Sequence, residues 1–274
     1  MSCNNIRATN LIIEGTHTHG VTIPSVGNFQ FGIYIAHRAA GDSRDIYCTF
    51  DISGTASGVV VENDSSGNNH GNNIYLSGII HDIPGQHGCY IQCGDVTADI
   101  MVRNIELSGV KVQVGGGNYA IKNVNLKVNA QDIDSHAIEL QNVGTVGVGS
   151  ISNVVLDLVC HNVGRGLGIN NDVKNVRGRI VVENAATHGV LIQGTGNEDI
   201  VLDVATKDCG QHGIYVTSSD CTNITLRPKV RESNTSVGSY HGIYIEAAGD
   251  VVLENPDVTD SATNQVFGLF VAAG

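Results

Sequence analysis

Residues 207–216 of this chain read KDCGQHGIYV, and residues 82–91 read DIPGQHGCYI. Both stretches place Gly-Gln-His-Gly before an aliphatic residue, a tyrosine and a second aliphatic residue. A duplicated histidine motif could belong to a catalytic centre or to a structural repeat. The rest of the sequence favours a structural repeat, because a simpler form of the same phrase recurs along the whole chain.

Two phrases recur in alternation. The first is a glycine or alanine followed by aliphatic residues at alternate positions, and it begins at Gly32, Gly58, Gly88, Ala137, Gly168, Gly189, Gly213, Gly242 and Gly268. The second is an asparagine or aspartate before a similar triplet, and it begins at Asp45, Asn73, Asp99, Asn123, Asn153, Asn175, Asp199, Asn223 and Asp250. Each phrase recurs about every 25 residues, a period typical of solenoids.

The triplets alternate with a period of two, which predicts short strands and no helix. A third, looser strand usually follows the second. Three short strands per repeat, with glycine and asparagine at the corners, predict an all-β fold. We expect a right-handed parallel β-helix of about ten three-strand coils, forming a single domain over residues 1–274. In the coil between Val110 and Asn123, either Val112 or Ile121 could lie in the first strand.

Composition restricts the partners and cofactors. The net charge of −12 argues against a nucleic acid or an anionic membrane, because both bind basic surfaces. No apolar run approaches the ~18 residues of a membrane span, and the N-terminus lacks a signal-sequence pattern. The seven cysteines have no CxxC spacing, which predicts reduced core residues. Cys89, Cys93 and His87 lack a second ligand pair, so neither a metal nor another cofactor is expected.

The GIYI, GIYV and NI-x-L phrases cover nearly the whole chain and resemble those of right-handed parallel β-helix proteins of the pectin-lyase-like superfamily. That superfamily includes pectate lyases, polygalacturonases, alginate epimerases and phage tailspikes. The resemblance implies the fold more than an activity. Gln211-His212-Gly213 and Arg227-Pro228-Lys229 stand in the order of a polygalacturonase-like site, but the sequence has no Asp-Asp dipeptide. An epimerase-like Tyr-Gly-x-Asp-x-His phrase, a calcium-binding acidic cluster and an N-terminal capping helix are absent too.

Six histidines occupy the same phase of the repeat, before the glycine or alanine that opens a strand. They are His19, His87, His136, His188, His212 and His241. Catalysis needs one histidine in one place, so we expect these to be corner residues, stacked coil over coil and bonded to the turn backbone. One of them could still act as an acid or base beside a carboxylate, because histidine titrates near neutral pH.

Outward positions of the first strand form two predicted columns. The first is Tyr34, Val60, Tyr90, Glu139, Asn170, Leu191, Tyr215, Tyr244 and Phe270; the second is Ala36, Glu62, Gln92, Gln141, Gln193, Thr217 and Glu246. Aromatic rings beside amides and carboxylates suit a glycan. The predicted substrate-binding residues are therefore Tyr90, Gln92, Gln141, Gln193, Tyr215, Tyr244 and Glu246. The alternatives are a ladder that only covers the sheet and a subunit interface.

Outward positions of the second strand are unusually apolar. The predicted column is Tyr47, Tyr75, Met101, Asn125, Val155, Arg177, Val201, Thr225 and Val252. Such a patch is larger than a monomer usually exposes, so we expect loops or another chain to cover it. A side-by-side homotrimer, as in tailspike-like β-helices, would do so and would also close the assembly.

The best local cluster for acid–base chemistry is the stretch 132–139, DIDSHAIE. Glycoside cleavage needs one protonated and one ionised carboxyl group on either side of a bond. We therefore predict Asp134, His136 and Glu139 as catalytic residues. The alternative is a solvated acidic turn.

Neither end of the predicted solenoid is visibly capped, which indicates a segment of a longer spike or fibre. The sequence thus predicts a phage tailspike-like β-helix that binds and degrades a bacterial surface polysaccharide. It would be synthesised in the host cytoplasm and located in the virion as a tail appendage; an extracellular location is the alternative. The alternative functions are a non-catalytic structural or adhesive module of a virion or surface fibre, and a stand-alone polysaccharide lyase or epimerase.

Overall fold

The computed structural model describes residues 7–14, 31–36, 46–62, 73–115, 119–144, 149–217, 220–233, 240–246, 249–259 and 267–272. Of residues 7–14 and 36, only the backbone is described. These ranges form a parallel β-solenoid of about eight turns, slightly fewer than the ten predicted coils. They contain no helix, and so none that is long and apolar enough to cross a membrane.

Nineteen strands make up the described solenoid. They are β1 Arg7–Glu14, β2 Phe31–Ala36, β3 Ile46–Ser53, β4 Ser57–Glu62, β5 Ile74–Ile83, β6 Cys89–Ile91, β7 Val96–Ile105, β8 Val110–Val114, β9 Ile121–Asn142, β10 Ile151–Asn170, β11 Val173–Ala185, β12 Val190–Gln193, β13 Glu198–Lys207, β14 Ile214–Thr217, β15 Thr222–Arg231, β16 His241–Glu246, β17 Val251–Leu253, β18 Asp257–Thr259 and β19 Phe267–Ala272.

The strands stack in parallel on two main faces. Face A consists of β2, β4, β6, β8, the last parts of β9 and β10, β12, β14, β16 and β19. Face B consists of β1, β3, β5, β7, the first parts of β9 and β10, β11, β13, β15 and the pair β17–β18. Each member of a face is called a rung below.

The coil that the sequence left open has β8 as its first strand. Val112 pairs with Ile91 on one side and with Leu140 on the other, so it belongs to face A. Ile121 instead pairs with Ile151 at the start of the longer strands. The predicted third strand is also explained, because Leu202 and Val204 lie in one continuous strand, β13, with alternating burial.

Seven face B strands, from β5 to β15, each lie between two residues with a left-handed backbone, at φ between 44° and 59°. The first corner is formed by Asn73, Asp95, Asn123, Asn153, Asn175, Asp199 and Asn223, and the second by Asp82, Asn104, Asp132, Asn162, Asn184, Asp208 and Glu232. Asparagine and aspartate adopt this conformation more readily than other side chains. The second corner, which the sequence analysis missed, follows the first by nine positions in all seven coils.

Face B therefore has a fixed width, whereas the rest of the coil does not. From the second corner to the next first corner the interval is as short as 13 residues, between Asp82 and Asp95 (95 − 82). It is as long as 21 residues, between Asp132 and Asn153 (153 − 132). All variation in coil length is thus confined to the part of the coil that contains face A.

One predicted corner was wrong. Asp99 lies within β7, opposite Ser77 and Lys127, and Asp95 has the left-handed backbone with φ of 55°. The inward positions of β7 alternate without a break, so a triplet pattern fits the sequence in two registers. The predicted outward column shifts with this correction, because Thr97 and not Met101 lies level with Tyr75.

The same kind of slip affected one glycine of face A. Leu167 pairs with Ile138, so Gly166 lies level with Ala137 and Gly168 lies two positions further along the strand. Asn170 consequently lies level with Gln141, in the second outward column and not in the first.

The core is a stack of aliphatic side chains from both faces. Among its fully buried members are Ile52, Ile80, Ile138 and Leu140, each of which contributes about 1.5–3 kcal/mol relative to an exposed side chain. The six cysteines in the described residues are buried and free, as predicted. Burial raises the pKa of Cys89 to about 12, so its thiol stays protonated and unreactive.

Replacing Asn153 by Ala should lower the free energy of unfolding by about 1–2 kcal/mol. The Asn153 side chain donates to Asn123 (3.0 Å) and accepts from Asn175 (2.7 Å), and its φ is 56°. Asn153→Gly loses the same bonds but adopts this φ without strain, so we expect a smaller loss. Urea unfolding measures both, and equal losses would contradict a contribution from backbone strain.

Candidate functional site

Two columns of side chains run along the outside of face A. The pair register gives Tyr34, Val60, Tyr90, Lys111, Glu139, Gly168, Leu191, Tyr215, Tyr244 and Phe270 as the first column. The second contains Glu62, Gln113, Gln141, Asn170, Gln193, Thr217 and Glu246. Lys111 and Gln113 were missed from sequence because the coil that contains β8 was ambiguous.

An ion pair lies at the middle of the first column. Lys111 Nζ is 3.1 Å from Glu139 Oε2, and their side chains are only 13% and 10% exposed. The Ser108 hydroxyl also donates to Glu139 Oε2 at 3.3 Å. Glu139, predicted to be catalytic, is therefore a buried and neutralised carboxylate, held by β8 and by the turn before it.

Two neutral histidines flank this ion pair. The pKa values of His87 and His136 are lowered to about 4. Burial is the main cause, and the charge of the nearby Lys111 contributes to both shifts. Arg165 Nη1 donates to His136 Nε2 at 3.3 Å, so the imidazole proton lies on Nδ1, which is 2.9 Å from the Ser135 hydroxyl. At neutral pH the cluster thus combines one ion pair, one arginine and two neutral imidazoles.

Gly168 makes room for the ring of His136. A Cβ atom at position 168 would lie 2.7 Å from His136 Cδ2 and 3.0 Å from Nε2. The histidine consequently covers the outer face of a rung where every neighbouring rung carries a side chain. A glycine at an outward position of an otherwise aliphatic strand is the sequence signal for this arrangement.

The structure brings together two of the three predicted catalytic residues. His136 is close enough to Glu139 for the carboxylate to affect its pKa. Asp134 is exposed, and within the described ranges it forms no hydrogen bond or ion pair with either residue. The other acids of the two columns, Glu62 and Glu246, are three and four rungs from Glu139, at least about 14 and 19 Å at ~4.8 Å per rung.

Several predicted substrate-binding residues form hydrogen-bonded groups. Gln92 Nε2 donates to the Tyr90 hydroxyl at 2.7 Å, and that hydroxyl donates to Gln113 Oε1 at 2.7 Å. Four rungs beyond Lys111, the Tyr215 hydroxyl donates to Glu246 Oε2 at 2.7 Å. The tyrosine hydroxyls thus orient amide and carboxylate groups of the second column.

Gln141 and Gln193 lie between these two groups. Each side chain is half-buried, and neither forms a hydrogen bond with another described residue. Asn170 lies on the rung between them. Its side chain is 5% exposed, and its Oδ1 atom has no hydrogen-bond partner among the described residues.

Tyr244 belongs to a ladder of stacked rings, not to an open platform. Its ring lies 5.3 Å from His241 at 8°, 5.2 Å from Phe270 at 7° and 5.0 Å from His212 at 25°. Both ring faces are therefore in contact with neighbouring rings, whereas a sugar stacks on an open ring face. For Tyr244 the geometry favours the alternative of a ladder that covers the sheet.

The predicted structural role of the repeated histidines is confirmed for two of them. His87 Nδ1 accepts from the Ser108 backbone N–H at 3.2 Å, and His212 Nδ1 accepts from that of His241 at 3.0 Å. The rings of His188 and His212 stack at 5.4 Å. The duplicated Gly-Gln-His-Gly phrase therefore builds a turn. His19 lies outside the described residues.

The described residues contain no group of three or more His, Cys, Asp or Glu that could hold a metal ion.

Comparisons of the chain with protein-family models, with curated proteins and with solved structures gave no match. Fold and site together define a class, a parallel β-solenoid with a column of amides beside a buried ionic cluster.

Proposed function

We propose that this chain is a β-solenoid module of a virion tail appendage or surface fibre that binds a bacterial surface polysaccharide along face A. The observation that supports this best is the run of amides on four consecutive rungs: Gln113, Gln141, Asn170 and Gln193. An amide both donates and accepts hydrogen bonds, as sugar hydroxyls do. The rungs repeat every ~4.8 Å, so the half-buried Gln113, Gln141 and Gln193 can contact successive parts of an extended glycan.

Binding without cleavage is the form of this function that the geometry supports best. The Lys111 ammonium group compensates the charge of Glu139. The distance from Glu139 to the acids of the second column also exceeds the ~5–9.5 Å that separates the two carboxyl groups of glycoside hydrolases. Cleavage is the second candidate, supported by the proximity of His136 to Glu139. For a stand-alone lyase or epimerase, the proximity of His136 to Glu139 is again the supporting observation.

Replacing Gln141 and Gln193 together by Ala should weaken binding to the recognised polysaccharide at least tenfold. Each hydrogen bond between a side-chain amide and the ligand contributes about 1 kcal/mol. A loss of about 1.4 kcal/mol raises the Kd tenfold. Binding is measured by biolayer interferometry against a panel of capsular and lipopolysaccharide preparations. The matched control is Gln131→Ala, because Gln131 is exposed on face B. Failure to bind any preparation, or an equal loss in the control, would refute the proposal.

A reducing-end assay on the same preparations separates binding from cleavage. Loss of cleavage in Glu139→Gln and in Asp134→Asn, with folding verified by circular dichroism, would support the catalytic alternative. No cleavage by the wild-type chain would support a binding module.

The tail-appendage location is part of this proposal, and the homotrimer stays a prediction from the sequence. Detection of the chain in purified virions tests the location, and light scattering of the chain at micromolar concentration tests the trimer.

A further inference from the structure

Face B carries a row of charges that alternate in sign along the solenoid axis. This charge ladder consists of Asp99, Lys127, Asp157, Arg179, Asp203, Arg227 and Glu254. Each member lies one rung from the next, so every acid has a base on the neighbouring rung. The sequence analysis missed the ladder, because this outward column was not considered and Asp99 was assigned to a corner.

Ion pairs hold the charge ladder in this order. Lys127 Nζ lies 2.8 Å from Asp99, and Arg227 lies 3.3 Å from Asp203 and 2.6 Å from Glu254. Their side chains are 43–64% exposed, so water screens these ion pairs strongly. Within one chain the alternation avoids like charges on neighbouring rungs, and it also fixes the order of charges that a partner would meet.

Apolar side chains flank the charge ladder on both sides. On one side Val155 is 52% exposed, and Tyr47 and Tyr75 stack at 4.7 Å with their rings nearly parallel. On the other side Met101 and Val159 are each 41% exposed. Exposed apolar side chains beside a row of charges are typical of an interaction surface.

The dimensions of face B match those of a stable protein interface. From β3 to β17–β18 it presents nine rungs with described side chains, or about 38 Å at ~4.8 Å per rung, and four outward positions per strand span about 20 Å. The resulting ~800 Å² per partner equals the standard size for specific complexes. The constant separation of the two corners keeps this surface equally wide over the seven rungs from β5 to β15.

We propose that face B is the docking surface for a second copy of this chain. The two copies would lie antiparallel, related by a two-fold axis that is parallel to the strands and passes between two rungs. Facing rungs then differ by an odd number, so wherever two members of the alternating ladder face each other, an acid lies opposite a base. With the axis between β10 and β11, for example, Asp157 of one copy faces Arg179 of the other.

A parallel pairing of the same faces brings equal rungs together, and every level of the ladder then meets its own charge. The same conflict arises at the axis of a parallel homotrimer if face B lies there. For this face the two-fold pair therefore replaces the predicted trimer. Face A remains open in the pair, so the inference does not depend on the proposed glycan binding.

The test is the mass of the full chain in solution, measured by sedimentation velocity across micromolar concentrations. We expect the mass of two chains for the wild type. Val155→Asp/Val159→Asp should weaken self-association at least a hundredfold, because it introduces uncompensated charges at a desolvated contact. Val143→Asp is the matched control, since Val143 is 49% exposed but follows the last part of β9 on face A, and it should remain a pair.

A second variant keeps the test decisive if the first does not fold. Lys127→Glu/Arg179→Glu makes the ladder acidic from Asp99 to Asp203, so it should also yield single chains while the circular dichroism of the solenoid is retained. A wild type that stays monomeric, a mass of three chains, or a pair that survives both variants would overturn the proposal.

Discussion

Replacing Lys111 by Met should lower the free energy of unfolding by about 3–5 kcal/mol. The substitution leaves Glu139, whose side chain is 10% exposed, without its only ion-pair partner among the described residues. An uncompensated charge in such a site is far more costly than the loss of an exposed ion pair. Urea unfolding followed by circular dichroism measures the change.

Two controls separate the buried charge from other effects of the substitution. Lys127→Met removes an exposed partner of Asp99 and should lower the free energy of unfolding far less, because water screens that ion pair. Lys111→Met/Glu139→Leu removes both charges and should recover most of the stability, since apolar replacements of a buried pair are often neutral or stabilising. A double variant that is less stable than Lys111→Met would show that the pair itself stabilises the fold.

Acidification should destabilise the protein between about pH 6.5 and pH 4. Burial lowers the pKa of His87, His136 and His212 to about 4 and that of His188 to about 3. In the unfolded chain a histidine has its ordinary pKa of about 6.5. Below pH 6.5 the unfolded state therefore binds protons that the folded state excludes, and stability falls as the pH falls. Above pH 6.5 these groups are neutral in both states and cause no pH dependence.

The magnitude can be tested on His188. Its depressed pKa corresponds to a loss on the order of 3 kcal/mol between pH 7 and pH 4, at about 1.4 kcal/mol per pKa unit. His188→Gln cannot be protonated, so the difference in unfolding free energy between these two pH values should shrink by a comparable amount. The matched control is His161→Gln, because the His161 side chain is 49% exposed. An unchanged difference in His188→Gln would contradict the burial argument.

The fold could be predicted from sequence because every coil repeats the same local physics. Period-two aliphatic triplets place side chains such as Ile138 and Leu140 in the core, and asparagine before each triplet matches the left-handed first corner. Neither signal depends on contacts distant in sequence. The second corner was missed because no aliphatic triplet begins immediately after it at a regular position, so the pattern search did not detect it.

Column assignments were less reliable, because register is set by stacking between coils and not by the sequence of one coil. A shift of a strand by an even number of residues keeps the same inward and outward alternation. A shift of two placed Gly168 where Gly166 lies, and a shift of four placed Asp99 at the corner that Asp95 forms. The ion pair of Lys111 and Glu139 depended on the one coil whose first strand the sequence left ambiguous. The burial of the histidines likewise depends on contacts between neighbouring coils, so the sequence of one coil does not predict it.

The constant nine-residue separation of the corners, against intervals of 13 to 21 residues elsewhere, has a consequence for how such a protein can change. Insertions and deletions are tolerated where no corner has to keep its place, and those connections adjoin the amide column. New loop sequences could therefore be grafted beside the proposed glycan surface to alter ligand preference, while face B keeps its spacing.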